Sequence, residues 1–310
     1  MNLSEVVVRK DDTFLDLLEK VETAAILGTL QTRKTKFRYL SSAWKKNTEE
    51  EALLGVSLTG IMDHPVLSGS VGYDQTFTHP VHGGKLTLPM VLEELRNHAV
   101  LVNEEWAAKL GINPAMAVTA VKPSGTVSQL VDAASGIHTR HSPYYIRTIR
   151  ADKKDPLAKL MVDQGFPVED DVMKPDTGYI FSFPMKAPDG AVTRNDRTAI
   201  QQLELWKTYQ LHWCEHKPSV TISVKEDEWL EVGAWVYENF DIMSGVSFLP
   251  HSNHTYQQAP YQEVDKETYL SFLERMPVEA DWSRLGEYEL EDTTIGMKEY
   301  ACTGGACEIL

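Results

Sequence analysis

The stretch AVTAVKPSGTVSQLV, residues 117–131, decides how the rest of the chain is interpreted. Residues 118–121 are small or β-branched, a composition that favours a buried strand. Pro123 prevents further ladder pairing because it has no N–H group, and Gly125 permits backbone shapes that other residues resist. The stretch therefore predicts a short strand, a tight turn and the start of a helix.

The turn has the chemistry of an anion-binding site. Ser124 and Thr126 can each cap a helix, and the first N–H groups of a helix have no partner within it. We expect the free N–H groups to be those of Gly125, Thr126 and Val127. Such a helix start binds anions, above all phosphate. An ordinary capped loop is the alternative interpretation of so short a motif.

Composition limits the possible partners of the chain. The 310 residues include 45 acidic and 30 basic side chains, a formal net charge of −15. This charge argues against direct, non-specific binding to nucleic acid or to an anionic membrane surface. The sequence has no apolar run of membrane-spanning length and no signal peptide, so we expect a cytoplasmic protein.

Strand-like and helical patterns alternate along the chain, which predicts an α/β fold with parallel strands. Asp11 or Asp12 is the expected N-cap of the first helix. Predicted strands cover residues 1–9, 118–121, 179–184, 219–224 and 245–249. Predicted helices cover residues 14–28, 89–111, 155–165, 198–215, 226–240 and 266–276.

One basic island interrupts the acidic chain at residues 135–154. A basic run is commonly a solvated face, but this one closely follows the anion-ready turn, so a polyanion site is the second interpretation. Its cationic side chains are Arg140, Arg147, Arg150, Lys153 and Lys154.

The three cysteines are too few for a secreted disulfide framework. Cys302 and Cys307 flank Thr-Gly-Gly-Ala, and the glycines let the two sulfurs approach to disulfide distance. This arrangement favours a redox arm that works by thiol–disulfide exchange, over half of a zinc site or two incidental cysteines. We predict no metal site.

Cys214 lies midway between His212 and His216. On a helix the two histidines would share a face while the cysteine points away, so the three cannot hold one ion. The pattern predicts a packed core thiol.

The KPSGT turn and the CTGGAC tail together resemble the adenosylcobalamin-dependent (class II) ribonucleotide reductases, and most closely the monomeric ribonucleoside-triphosphate reductases. Further segments resemble the family in the same order along the chain. They are NLSEVVVR, EEEALLGVSLTGIMD, AVTAVKPSGTVSQLVDAASGIH, KPSVTISV and SFLPHSNHTYQQAPYQE.

The resemblance implies the C-terminal part of the family's ten-stranded α/β barrel, followed by a flexible dithiol tail. Residues 1–290 would form the barrel part with cobalamin-contacting segments, and residues 291–310 the mobile redox tail. The family's radical cysteine lies in an Asn-x-Cys-x-Glu element a short way upstream of the strand that resembles Asn2–Arg9. This chain does not contain that element, so an N-terminal half of the reductase is an implied partner.

The resemblance also implies roles for individual residues. The substrate is a ribonucleoside triphosphate, whose phosphates would be held by Pro123, Ser124, Gly125, Thr126 and Val127. Cys302 and Cys307 would re-reduce the active-site disulfide and be reduced in turn by thioredoxin or a similar dithiol protein. Adenosylcobalamin would be contacted by Tyr256, Gln258 and Tyr261.

Two alternatives to an active split reductase stay open at this point. In the first alternative, the chain is an inactive truncated remnant. In the second, it is a stand-alone module that binds nucleotide or cobalamin without radical chemistry.

Overall fold

The computed structural model describes residues 1–251 and 257–290. The strands in these ranges are β1 (Asn2–Val7), β2 (Leu54–Thr59), β3 (Thr119–Ala120), β4 (Tyr144–Asp152), β5 (Val168–Asp170), β6 (Gly178–Lys186), β7 (Val220–Val224), β8 (Val246–Pro250) and β9 (Tyr261–Glu263). The α-helices are α1 (Phe14–Gln31), α2 (Ser42–Glu51), α3 (Leu88–Leu110), α4 (Val127–Leu130), α5 (Pro156–Asp163), α6 (Ala199–His212), α7 (Trp229–Glu238), α8 (Lys266–Glu274) and α9 (Leu285–Tyr288).

The chain forms two compact units. Unit 1 consists of residues 1–140 and 188–251, and the described part of unit 2 consists of residues 141–187 and 257–290. The sequence patterns did not predict this division within residues 1–290. The predicted redox tail, residues 291–310, lies outside the described residues.

Unit 1 contains the parallel strands that the alternating pattern predicts. Strands β1, β2 and β3 are parallel neighbours in that order, and β7 pairs with β8 in parallel. A parallel bridge from Val121 to Pro218 joins the end of β3 to the start of β7. The α/β class is confirmed for this unit, and the ten-stranded barrel stays a prediction.

Helix α1 shows how an amphipathic sequence builds the core of unit 1. Its apolar face is buried at Phe14, Leu17 and Val21, as the helical spacing predicts. Its N-cap is Thr13, which forms a capping box with Asp16, so the prediction of Asp11 or Asp12 as the cap is wrong. Helix α1 packs against α3, β1 and β2.

Unit 2 is built differently, because its four-stranded sheet is antiparallel in the order β5-β6-β4-β9. The prediction of parallel strands is wrong here. Strand β4 occupies much of the basic island, whose charges hid its strand character. The small core of this unit centres on Ala158, Phe166 and Phe181.

In residues 1–251 and 257–290, no helix combines the length and the apolar character needed to cross a membrane.

Candidate functional site

The predicted anion-binding turn follows β3 directly. The strand pairing ends before Lys122, whose backbone N–H donates to the side-chain oxygen Ser57 Oγ at 3.0 Å. In parallel α/β structures, ligands bind beyond the carboxyl ends of the strands, and Pro123–Val127 begins at such an end. The strand prediction is confirmed, and the turn lies where such a fold offers a site.

The predicted helix start after the turn is present, but the helix is short. Helix α4 is a single turn, and neither Ser124 nor Thr126 caps it with its side chain. Instead the Ser124 carbonyl accepts the Ser128 N–H at 2.8 Å. The capping prediction is wrong because the Ser124 hydroxyl is buried and contacts Thr59 Oγ1 at 2.5 Å.

The predicted free amides are nevertheless present. Among the residues that the structure describes, the backbone N–H groups of Gly125, Thr126 and Val127 have no acceptor. Thr126 and Val127 are exposed, and Gly125 is half-buried. The turn therefore presents three unsatisfied donors to solvent, while Ser124 faces inward.

Thr59 is the centre of a buried hydrogen-bond network beneath the turn. Its hydroxyl donates to the Ala134 carbonyl at 2.9 Å and accepts the Gly136 N–H at 3.0 Å. A hydroxyl has one proton, so the contact between Thr59 and Ser124 requires Ser124 to donate. Gly136 has φ +53°, and a Cβ there would lie 2.8 Å from the Lys122 carbonyl oxygen. These contacts fix the turn to the segment that follows it.

Glu5 is a functional candidate that the sequence analysis missed. It lies on β1 opposite Ser57 of β2, and its carboxyl lies beside the hydroxyls of Ser124 and Thr59. Burial raises its pKa to about 7, although the two hydroxyls act to lower it. Its Oε1 is buried and has no hydrogen-bond partner in the described part of the chain. One signal was available, since Glu5 directly precedes the apolar run Val6, Val7 and Val8, and acidic residues are rarely buried.

Arg140 of the basic island is structural. It makes two hydrogen bonds of 2.8 Å with the Asp63 carboxylate, and each of the two side chains is only 4% exposed. Asp63 Oδ2 also accepts the Ala134 N–H at 2.7 Å. The pair thereby holds the segment that Thr59 binds, and Arg140 is not available to a polyanion.

The cations of the island in unit 2 are also engaged within the fold. Arg147 donates a hydrogen bond to the Tyr261 hydroxyl. Arg150 forms an ion pair with Asp171 at 3.4 Å, and Lys153 forms one with Asp170 at 2.5 Å. Arg150 and Lys154 nevertheless lie at the exposed surface, and a polyanion site here stays an interpretation of the sequence.

Gln258, a predicted cobalamin contact, is 6% exposed and has φ +61°. Its side-chain oxygen accepts the Val172 N–H at 2.9 Å. Its side-chain nitrogen donates to Glu169 Oε1 at 3.0 Å and to the Asp170 carbonyl at 2.8 Å. Both amide protons are thus used within unit 2, so the side chain holds the segment in place. Its contact with cobalamin stays a prediction.

Tyr261, also a predicted cobalamin contact, lies half-buried in an aromatic cluster. Its ring stacks on His141 at a centroid distance of 5.5 Å, and the Arg147 guanidinium lies 5.1 Å from its centroid. Arg147 Nε is buried and has no acceptor among the described residues. The third predicted contact, Tyr256, lies outside those residues.

Of the three cysteines, only Cys214 lies among the residues that the structure describes. Cys302 and Cys307 lie outside the described residues. Cys214 is a buried free thiol whose pKa is raised by burial, so the prediction of a packed thiol is confirmed. His212 bonds to Glu93 and His216 to the Leu54 carbonyl, each at 2.7 Å. Within residues 1–251 and 257–290, no three His, Cys, Asp or Glu side chains converge as metal ligands.

The chain is similar to reductases of known type. It is 30% identical over 307 residues to the adenosylcobalamin-dependent ribonucleoside-triphosphate reductase of Lactobacillus delbrueckii subsp. bulgaricus, covering 93% of this chain and 41% of the relative. A probable adenosylcobalamin-dependent ribonucleoside-triphosphate reductase of Dictyostelium discoideum is 33% identical over 216 residues, 67% of this chain and 27% of the relative. No protein-family model matches the chain.

A solved structure shares the fold. The crystal structure of a B12-dependent (class II) ribonucleotide reductase matches with a TM-score of 0.72 at 24% identity, over 93% of this chain and 41% of the other. The chain is therefore a homologue of the class II ribonucleotide reductases, as the sequence resemblance indicated. Its curated relatives are ribonucleoside-triphosphate reductases, and the chain spans about two fifths of their length, which fits their C-terminal part.

Proposed function

We propose that this chain is the C-terminal portion of an adenosylcobalamin-dependent ribonucleoside-triphosphate reductase, which makes deoxyribonucleotides for DNA synthesis. The observation that carries the proposal is the similarity to such reductases along 93% of the chain. In this role the chain supplies a phosphate-binding turn, cobalamin contacts and a dithiol relay.

The phosphate-binding role rests on the geometry of the turn. The free N–H groups of Gly125, Thr126 and Val127 are donors suited to a polyphosphate, and Thr126 adds an exposed hydroxyl. Pro123 ends the strand, and the inward hydroxyl of Ser124 anchors the turn. The ligand is held by backbone groups whose positions the buried network fixes, which reduces the ordering cost of binding.

The residues around Tyr261 fit a large cofactor that carries amide groups. The corrin ring of cobalamin bears amide side chains, whose oxygens accept hydrogen bonds, and Arg147 Nε is a donor without an acceptor beside Tyr261. We assign Tyr256, Gln258 and Tyr261 to the cobalamin-contacting segment, with Gln258 holding its backbone. When bound, adenosylcobalamin supplies the radical chemistry that starts reduction.

Cys302 and Cys307 complete the proposed role. They would carry electrons from thioredoxin, or a similar dithiol protein, to the active-site disulfide by thiol–disulfide exchange. Cys214 cannot substitute for them, because its thiol is buried and burial raises its pKa, which suppresses the reactive thiolate.

The proposed reaction also needs the radical cysteine of the Asn-x-Cys-x-Glu element, which an N-terminal portion of the reductase would supply. The test is ribonucleotide reduction by this chain alone and with such a portion co-expressed, each with adenosylcobalamin, a ribonucleoside triphosphate and thioredoxin. We expect deoxynucleotide only when both portions are present.

A pair of variants assigns the relay in this assay. Cys302→Ser should abolish turnover with thioredoxin but retain turnover with a small dithiol that reaches the active site directly. Cys214→Ala is the matched control and should retain both activities. A folded complex without product would contradict the proposal. Nucleotide or cobalamin binding by this chain alone would then favour a stand-alone module, and its absence an inactive remnant.

A further inference from the structure

We propose that Glu5 is a positioning residue which couples anion binding at the Pro123–Val127 turn to the uptake of one proton. The inference rests on the proposed phosphate-binding role of the turn and adds a regulation of that site by pH. It is carried by geometry: Glu5 lies on β1 opposite Ser57, its Oε1 is buried without a hydrogen-bond partner among the described residues, and the hydrogen-bonded hydroxyls of Thr59 and Ser124 lie beside its carboxyl.

The first step is a count of protons in the network. Thr59 gives its hydroxyl proton to the Ala134 carbonyl, and Ser124 gives its own to Thr59. The Glu5 carboxyl therefore faces hydroxyls whose protons are already engaged. A protonated Glu5 can donate to the free lone pairs of Ser124, which extends the chain of hydrogen bonds from β1 to the turn. An ionised Glu5 requires Ser124 to redirect its proton and to give up its bond to Thr59.

The second step concerns the charges around Glu5. The pKa of Glu5 is set by burial and by the two hydroxyls, and no charged group of the described residues contributes to it. From α1, the side chains of Asp16, Glu19 and Lys20 line the same 530 Å³ groove as Glu5. Lys20 is already bonded to Asp12, at 2.6 Å.

The remaining groups near Glu5 come from β2 and from the segment between β3 and the turn. Ser57 and Thr59 on β2 are neutral. Lys122, immediately before the turn, has no ion pair among the described residues; it is half-buried, and it does not contribute to the pKa of Glu5. An ionised Glu5 therefore has no dedicated counter-ion in the described part of the chain.

The third step is the effect of a bound anion. A polyphosphate on the amides of Gly125, Thr126 and Val127 places negative charge next to Ser124, and ionised Glu5 opposes it across a low-dielectric interior. Binding therefore favours the protonated carboxyl, and the proton comes from solvent. Below a pH of about 7 Glu5 is largely protonated already. Affinity should fall as the pH rises above that value.

The experiment is calorimetric titration of the full chain with inorganic tripolyphosphate between about pH 5.5 and 8, in two buffers of different ionisation enthalpy. The variants are Glu5→Gln, which keeps the shape of the side chain, and Glu19→Gln, the matched control in the same groove. The ratio of the wild-type Kd to the Glu5→Gln Kd cancels the titration of the ligand itself. We expect this ratio to be about 1 at the low pH and about tenfold at the high pH, as one unit above the pKa allows. Above pH 7 the wild type and Glu19→Gln should take up close to one more proton than Glu5→Gln.

A second measurement stays decisive if Glu5→Gln does not fold. The carboxyl ¹³C resonance of Glu5 in the wild-type chain reports its pKa directly, and tripolyphosphate should raise that pKa by about two units, because the coupling is reciprocal. An unchanged pKa, or a Kd ratio that does not vary with pH, would overturn the inference.

Failure of the underlying proposal has its own signature. Thr126→Pro removes one amide donor from the turn and should weaken tripolyphosphate binding. If the wild type binds no tripolyphosphate, or if Thr126→Pro binds it as well as the wild type does, the phosphate-binding role of the turn fails and the inference fails with it. Binding that Thr126→Pro weakens but that shows no coupling to Glu5 overturns the inference alone.

Discussion

Two ion pairs, one in each unit, show how differently the two regions are stabilised. Arg140 and Asp63 of unit 1 meet at 2.8 Å and are each 4% exposed. Lys153 and Asp170 of unit 2 meet at 2.5 Å but are 25% and 61% exposed. Solvent screens the charges of the second pair. In the first pair the charges are buried, so the loss of either partner leaves the other charge uncompensated in the interior. Contact distance alone therefore does not show which pair contributes more to the stability of the fold.

The same contrast extends to the candidate sites. In unit 1, buried hydroxyls and the Asp63–Arg140 pair fix the turn from beneath, so its free amides are held ready for a ligand. In unit 2, the Gln258 side chain holds the segment next to Tyr261 through hydrogen bonds to Val172 and Asp170. We infer that the turn is a preorganised site, and that the segment near Tyr261 is held mainly by the side chain of Gln258.

The largest effect is expected from breaking the buried pair. Arg140→Met leaves Asp63 charged and buried, so we expect the free energy of unfolding to fall by about 3–5 kcal/mol. Urea unfolding followed by tryptophan fluorescence measures the change. The double variant Asp63→Leu/Arg140→Met should recover part of the loss, since no lone charge remains. A single variant as stable as the wild type would contradict the structural role of the pair.

Glu5→Gln should raise stability in a pH-dependent way. The pKa of Glu5 is about 7 in the folded chain and 4.5 in the reference state, so the wild type loses stability as the pH rises between these values. Glutamine does not ionise, and the variant should be more stable at pH 8 by up to about 3 kcal/mol. Denaturation at about pH 4 should show no difference. An equal gain at both pH values would mean that ionisation is not the cause.

The sequence predicted the parts of the fold that depend on local patterns. The apolar spacing of α1, the strand before the turn and the packed Cys214 all follow from residues close together in the chain. Asp63 and Arg140 are 77 positions apart, and no local pattern pairs them. Strand β4 was missed because Arg147 and Arg150 interrupt its apolar residues, and these cations find partners only once the antiparallel sheet has formed.

The cap of α1 and the role of Glu5 show the same limit at the level of single residues. Thr13, Asp11 and Asp12 are all competent N-caps by residue type, and the chain path selects Thr13. Glu5 acquires its raised pKa only from burial beside β2 and the turn, which the sequence of β1 alone does not reveal.

A smaller effect is expected at Gln258. Gln258→Leu keeps the volume but leaves the Val172 N–H and the Asp170 carbonyl without their partners, and we expect a loss of about 2 kcal/mol. Amide hydrogen exchange at Val172 should accelerate, while exchange in β2 of unit 1 stays unchanged. Equal protection of Val172 in both proteins would show that Gln258 does not hold the segment.

The smallest effect is expected at the exposed pair of unit 2. Lys153→Met removes an ion pair that water screens, so the unfolding midpoint should not change measurably. The same urea titration that is used for Arg140→Met makes the comparison direct. A loss as large as that of Arg140→Met would show that the contrast between the units is wrong.

The most direct test of the phosphate-binding turn is a titration of the ¹⁵N-labelled chain with a ribonucleoside triphosphate, followed at the backbone amides. We predict that the signals of Gly125, Thr126 and Val127 shift with the triphosphate and not with the corresponding nucleoside, because the proposed ligands of these amides are the phosphates. Signals at these three positions that stay still, while amides elsewhere shift, would contradict the account.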